Sequence, residues 1–207
     1  MSDEPLHTGP SELFLPAIVI MIRRIVTIAS VVVPCALFVT NAAFGEAAIA
    51  AKSTVSVVFK QMNVPVDARF NHFVANVRFD PANVAASSAE LDVEVQSFDL
   101  GSADYNQEVV GAEWFDTAHF AHATFISKHI EPASNGAYSV EGRLTIKGKT
   151  VDVVVPVQYH KDGPNQVFDG TLPIKRLAFS IGTGEWKDTS VVADDVQIKF
   201  HLVVVAH

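Results

Sequence analysis

From Lys52 onward the chain repeats with a period of two, and no other feature constrains its fold as strongly. Such a repeat sends alternate side chains to opposite faces of a strand. Val55, Val57 and Phe59 alternate with Thr54, Ser56 and Val58, and Phe73, Ala75, Val77 and Phe79 with His72, Asn76 and Arg78. The cleanest run sets Ala89, Leu91, Val93 and Val95 against Glu90, Asp92, Glu94 and Gln96. Further strands are predicted at about 122–130, 137–147, 150–160, 166–174 and 194–205. Asp80-Pro81-Ala82-Asn83, Asn135-Gly136, Lys147-Gly148-Lys149 and Asp162-Gly163 mark turns, and Val64-Pro65-Val66 reads as an interruption. Only 101–113 has helical spacing, with Ser102 placed to cap it and Asp104, Tyr105, Glu108 and Val109 following. Eight strands, short turns and one short helix predict an all-β fold. An antiparallel barrel is preferred to a sandwich because closure removes sheet edges. Eight strands make a barrel just wide enough to be filled by side chains or to hold one ligand.

Ahead of this region, Met21-Ile22-Arg23-Arg24 is a short basic stretch and Ile25 to Phe38 is apolar apart from Thr27, Ser30 and Pro34. Ala43-Phe44-Gly45 then places small residues at −3 and −1 before Glu46. This predicts a secretory signal over 21–45, cut after Gly45, with Ala47 the close alternative. Residues 1–20 carry Asp3, Glu4 and Glu12, which do not suit a signal's basic start, so Met21 is read as the true start and 1–20 as an upstream extension. A permanent anchor over roughly 13–39 would bury Arg23 and Arg24 near its centre, at about 2.5–3.5 kcal/mol each. A lipid anchor on Cys35 is disfavoured by the preceding Pro34 and by the position of Cys35 inside the apolar run. The domain is therefore placed at 46–207.

Cys35 is the sole cysteine, so an exported form cut after Gly45 has none. That excludes disulfides, thiolate metal sites and a cysteine nucleophile together. Cleavage also removes three acids and two bases, which takes the net charge from −8 to −7. With no basic stripe, such a surface argues against a nucleic-acid partner.

The search for catalytic motifs returns little. Gly148-Lys149-Thr150 looks like the end of a phosphate-binding loop, but five residues separate Gly148 from Gly142 where four are required, and a strand follows. Gly182-Thr183-Gly184 reads as a turn. His119 and His122 lack a third ligand at metal-binding spacing. His72, His129, His160 and His201 are expected at the surface of strands. Asp194-Asp195 and the Asp99, Asp104 and Glu108 group read as solvated charges, with Asp99 or His122 the candidates if the chain were an enzyme. What remains is aromatic: Phe59, Phe70, Phe73, Phe79, Phe98, Trp114, Phe115, Phe120, Phe125, Phe168, Phe179 and Trp186 are spread over nearly every strand. A filled core and a ligand cavity are lined by the same residue types, so the pattern leaves both open.

The order of short motifs carries a resemblance. Phe59-Lys60-Gln61-Met62-Asn63-Val64-Pro65-Val66-Asp67-Ala68-Arg69-Phe70 opens it, followed by Phe79-Asp80-Pro81, Ser97-Phe98-Asp99-Leu100-Gly101 and Trp114-Phe115-Asp116. Phe120-Ala121-His122-Ala123-Thr124-Phe125, Val140-Glu141-Gly142-Arg143-Leu144-Thr145-Ile146-Lys147-Gly148-Lys149-Thr150 and Val155-Pro156-Val157 come next. Phe168-Asp169-Gly170, then Arg176-Leu177-Ala178-Phe179-Ser180-Ile181-Gly182 and Trp186 close the series. Together, over about 52–205, they resemble the YceI family of lipocalin-like, polyisoprenoid-binding proteins.

The resemblance implies an extended, eight-stranded antiparallel lipocalin-like barrel, exported to the periplasm. Its interior would hold an isoprenoid quinone or a polyprenyl phosphate, with no catalysis, resident cofactor or metal. It also implies a link to a membrane b-type cytochrome, and leaves room for a homodimer. A filled-core module docking on such a cytochrome is the alternative. The residues expected at the ligand are Phe59, Phe70, Phe73, Phe79, Trp114, Phe115, Phe125, Leu144, Phe168, Phe179 and Trp186. Arg176 is the candidate partner for a head group, because a guanidinium pairs with phosphate or carbonyl oxygens; the competing reading makes it a surface charge stabilising a turn. Three positions depart from the family pattern. Asn63 and Ala68 stand where glycine is usual, which bears on the mouth of the barrel, and Ala121 stands where proline is usual.

Overall fold

A computed structural model describes residues 46–205; the predicted signal sequence, the extension before it and Cys35 lie outside the described residues. Within them the alternating runs become strands. In chain order these are β1 (Glu46–Ala47), β2 (Thr54–Gln61), β3 (Val64–Phe70), β4 (Phe73–Arg78), β5 (Ser88–Glu94) and β6 (Phe98–Asp99). After the helix α1 (Ala103–Val109) come β7 (His122–Pro132), β8 (Ala137–Ile146), β9 (Lys149–Asp162), β10 (Asn165–Lys175) and β11 (Val192–Val205). All join one sheet in the order β1-β4-β5-β7-β8-β9-β10-β11-β2-β3-β6. Every neighbouring pair is antiparallel.

The sheet curls into a half-barrel. Ile49, just past β1, donates its N–H to Val203 O of β11 at 2.7 Å, although the two strands stand far apart in the ladder. Bulges between Ser127 and His129 and between Val192 and Val196 shift the register of β7 and β11, which adds local twist. The alternation decides what faces inward. Val55 and Val57 of β2, Ala75 and Val77 of β4, Leu144 and Ile146 of β8, and Val155 and Val157 of β9 are all buried.

The described residues form eleven strands where eight were expected, and the reasons are local. The stretch read as an interruption at Val64-Pro65-Val66 is the start of β3. Proline has no N–H to give a ladder, so it survives only where one side of the strand is open. That holds here: β3 pairs with β2 along its whole length, but its other neighbour β6 reaches only Arg69 and Phe70. β1 and β6 have two residues each, too few to show alternation. The helix is also shorter than 101–113. Ser102 occupies the N-cap position but its side chain makes no capping bond. Asn106 instead accepts the Leu100 N–H at 2.7 Å and donates to Asp99 Oδ1 at 3.1 Å, which ties α1 back to β6.

Met62 and Asn63 join β2 to β3 in a two-residue turn with φ of 49° and 65°. Positive φ at both positions matches the twist of a hairpin, and asparagine tolerates it. Methionine pays roughly 1–2 kcal/mol for the left-handed conformation, and Met62, 73% exposed, recovers little by packing. Met62→Asn is therefore expected to stabilise the fold by about 1 kcal/mol, read as a higher urea midpoint. An unchanged or lower midpoint would show that this turn stores no strain.

Candidate ligand-binding cavity

The inward face of the half-barrel is not filled. It surrounds a cavity of about 280 Å³, close to the lower end of the range, roughly 300 Å³ upward, typical of small-molecule sites. β2 contributes Val55, Val57 and Phe59 to its wall, β5 Leu91 and Val93, β8 Leu144 and Ile146, and β11 Val196 and Ile198. Tyr105, Glu108 and Val109 line it from α1. Tyr105 is 61% exposed and Glu108 is also exposed, so the cavity meets solvent beside α1. A second cavity of about 110 Å³ lies among Phe79, Tyr138, Val155, Phe168, Phe200 and their neighbours. These voids favour a ligand cavity over the filled core that the sequence had left open.

The structure gathers most of the expected residues. Phe59, Phe70, Trp114, Phe115, Arg176 and Trp186 line the first cavity, Phe79 and Phe168 the second, and Phe125 and Leu144 both. Phe73 and Phe179 line neither. Phe179, 2% exposed, belongs to the packed core and Phe73 packs against it from the edge. Around the first cavity, Phe98 stands 4.9 Å from Phe70 and 5.3 Å from Phe115, and Trp114 stands 5.3 Å from Trp186, centroid to centroid. The indole N–H of Trp114 and the hydroxyl of Tyr159 are buried without a hydrogen-bond partner. Burial pushes the Tyr159 phenol above its ordinary value.

Arg176 stabilises a turn, as one of its two readings had it, but from the interior and with no donor left for a head group. It is not a surface charge, being 2% exposed. Nor has it a donor to offer a head group. Nε donates to Ala193 O at 3.1 Å, Nη1 to Ile181 O and Gly182 O at 2.9 Å each, and Nη2 to Trp186 O and Val192 O at 2.7 Å each. A guanidinium has five N–H bonds, and all five are spent on backbone carbonyls. They pin the connection between β10 and β11. Gly182, with φ of 69°, leaves the space that the guanidinium occupies. The cation also lies 6.0 Å from the Trp114 ring centroid. Burial pushes the group below its ordinary pKa, with Asp194 acting the other way. Lys147 extends the same bracing: its Nζ donates to Ala112 O at 2.7 Å and Ser180 O at 3.0 Å.

The acids and histidines are engaged locally. The Asp99 carboxylate is held below its ordinary pKa, first by the Asn106 side chain and then by the Gly101 N–H. His122 Nδ1 meets Asp92 at 2.6 Å and His119 Nδ1 meets Asp116 at 2.8 Å, two separate pairs on exposed rings. Among the described residues no group of three or more His, Cys, Asp or Glu side chains could hold a metal ion. His129, His160 and His201 lie on strands as expected, whereas His72 falls between β3 and β4.

Wall residues outside the expected set include Val55, Val57, Leu91, Val196, Ile198, Tyr105, Glu108 and Phe200. The strand residues share the inward register that the alternation already marked. Tyr105, Glu108 and Val109 share one face of the helical spacing.

Comparison with known proteins gives a consistent picture. A family model described as YceI-like domain matches residues 47–204. A UPF0312 protein of Vibrio cholerae is 29% identical over 141 residues, covering 64% of this chain and 75% of its own. The crystal structure of Burkholderia cenocepacia BcnA superposes with a TM-score of 0.75 at 56% identity, covering 76% of this chain and 99% of that one. A polyisoprenoid binding domain from Saccharophagus degradans, implicated in plant cell wall breakdown, shares the fold at a TM-score of 0.62 and 18% identity, covering 79% of this chain and 99% of that one.

Replacing Arg176 separates a brace from a head-group ligand. Lysine offers three donors, so Arg176→Lys leaves at least two carbonyls unpaired. At about 1–3 kcal/mol for each buried unpaired group, the fold should lose at least about 2 kcal/mol, measured by urea unfolding. An unchanged midpoint together with weakened ligand binding would restore the head-group role.

Proposed function

This chain belongs to the YceI-like family, and from that membership we propose that it is an exported, non-enzymatic carrier enclosing a long isoprenoid lipid. One observation carries the reading: the inward face of the sheet surrounds a cavity of about 280 Å³ whose wall is almost wholly hydrocarbon. A tail moved from water into such a space gains roughly 0.8 kcal/mol per buried CH₂, less the entropy of ordering a flexible chain. The name of the Saccharophagus degradans neighbour points to the same ligand class. The signal sequence read at 21–45 would deliver the protein to the periplasm.

The wall favours an uncharged head. Arg176 is the one cation lining the first cavity, and its donors are spent. The other charged lining residue is Glu108, at the opening, where it would repel a phosphate. Of the two cargo classes that the resemblance implied, this lining suits an isoprenoid quinone better than a polyprenyl phosphate. A quinone cargo is also what would bring the carrier to a membrane b-type cytochrome.

Both tryptophans of the chain line the first cavity, so quenching of their fluorescence reports occupancy. An isoprenoid quinone and a polyprenyl phosphate of equal tail length, titrated in parallel, should differ at least tenfold in Kd, the quinone binding tighter. Val57→Arg, which puts a charge in the wall, should abolish the quench while the circular dichroism spectrum stays native. Equal binding of both lipids would remove the uncharged-head reading. Undiminished binding by a folded Val57→Arg protein would remove the cavity as the site.

A further inference from the structure

The two cavities adjoin and share part of their lining. Leu91, Phe125, Leu144 and Ile198 line both. Phe125 is the largest of the four. Its position depends on a glycine. Phe125 pairs with Leu144 across β7 and β8, and its ring lies over Gly142, two residues along the partner strand. A Cβ at position 142 would stand 2.5 Å from ring atoms Cε2 and Cζ, so only a residue without a side chain lets the ring rest there. The same device recurs beyond the wall, where the Phe200 ring covers its cross-strand partner Gly170 and lines the second cavity. The second cavity has Glu90 as its one charged lining residue and offers no cation to a head group. It suits hydrocarbon.

We propose that Phe125 is a length-setting partition. A ligand's tail fills the first cavity up to the Phe125 ring, and the second cavity is the site for the distal isoprene units of longer tails, reached when the ring gives way. The inference rests on the isoprenoid-binding reading above and adds to it the residue that selects among tail lengths.

Isoprenoid quinones with two, four and eight isoprene units, titrated against tryptophan fluorescence, test it on the full chain. In the wild-type protein, Kd should fall with tail length and then level off. In Phe125→Ala, and more mildly in Phe125→Leu, the eight-unit quinone should gain at least tenfold relative to the two-unit one beyond the wild-type ratio. Phe115→Ala, which widens the first cavity alone, should shift all three lengths together. Phe125→Leu keeps the test open if Phe125→Ala fails to fold. The same length dependence in wild type and both Phe125 variants would overturn the partition while leaving isoprenoid binding intact. Failure of every quinone to quench the wild-type protein would overturn the carrier reading and the partition with it.

Discussion

Five hydrogen bonds from one buried guanidinium hold the connection between β10 and β11 in place, and the first cavity depends on them. Arg176 collects the carbonyls of Ile181, Gly182, Trp186, Val192 and Ala193. In doing so it fixes Trp186 against Trp114 and so sets part of the cavity wall. Most of this connection has no sheet partner for its backbone, and buried carbonyls must be paired. One planar cation with five donors does this where several neutral side chains would be needed. Lys147, bonded to Ala112 and Ser180, braces the neighbouring loop in the same way.

What this bracing protects is an unfilled space, and empty space in a protein is costly. A chain keeps such a void when a ligand returns the contacts. The division of labour follows from this. Polar bonding is confined to loops and the outer face, where His122 meets Asp92 and Lys175 meets Asp195. The inner face is left to aliphatic and aromatic carbon, whose attraction for a tail is non-directional and tolerates sliding.

Much of the fold was legible because alternation is a local signal. The inward register of Val55, Val57 and Phe59, or of Leu91 and Val93, reads directly from the chain, and those residues now stand in the cavity wall. The turns carrying glycine were equally plain. Met62-Asn63 was not, because methionine gives no sign of a positive φ and asparagine without a glycine beside it is a weak turn signal. Pro65 looked like a break because its tolerance depends on the absence of a neighbour, a tertiary fact. The site was legible as a set of residue types and not as a shape. Phe179 and Phe168 look alike in sequence and both pack in the core, yet only Phe168 also lines a cavity. The burial of Arg176 escaped the sequence for the same reason: its partners are backbone carbonyls of a segment folded back upon it, and carbonyls have no sequence signature.

The most direct test of the account is to find out what fills the cavity. The full chain would be expressed with export, purified without detergent and extracted with organic solvent, and the extract identified by mass spectrometry. A stoichiometric isoprenoid with an uncharged head is the expected result. A clean extract from folded protein, or a cargo that is not an isoprenoid, would contradict the account.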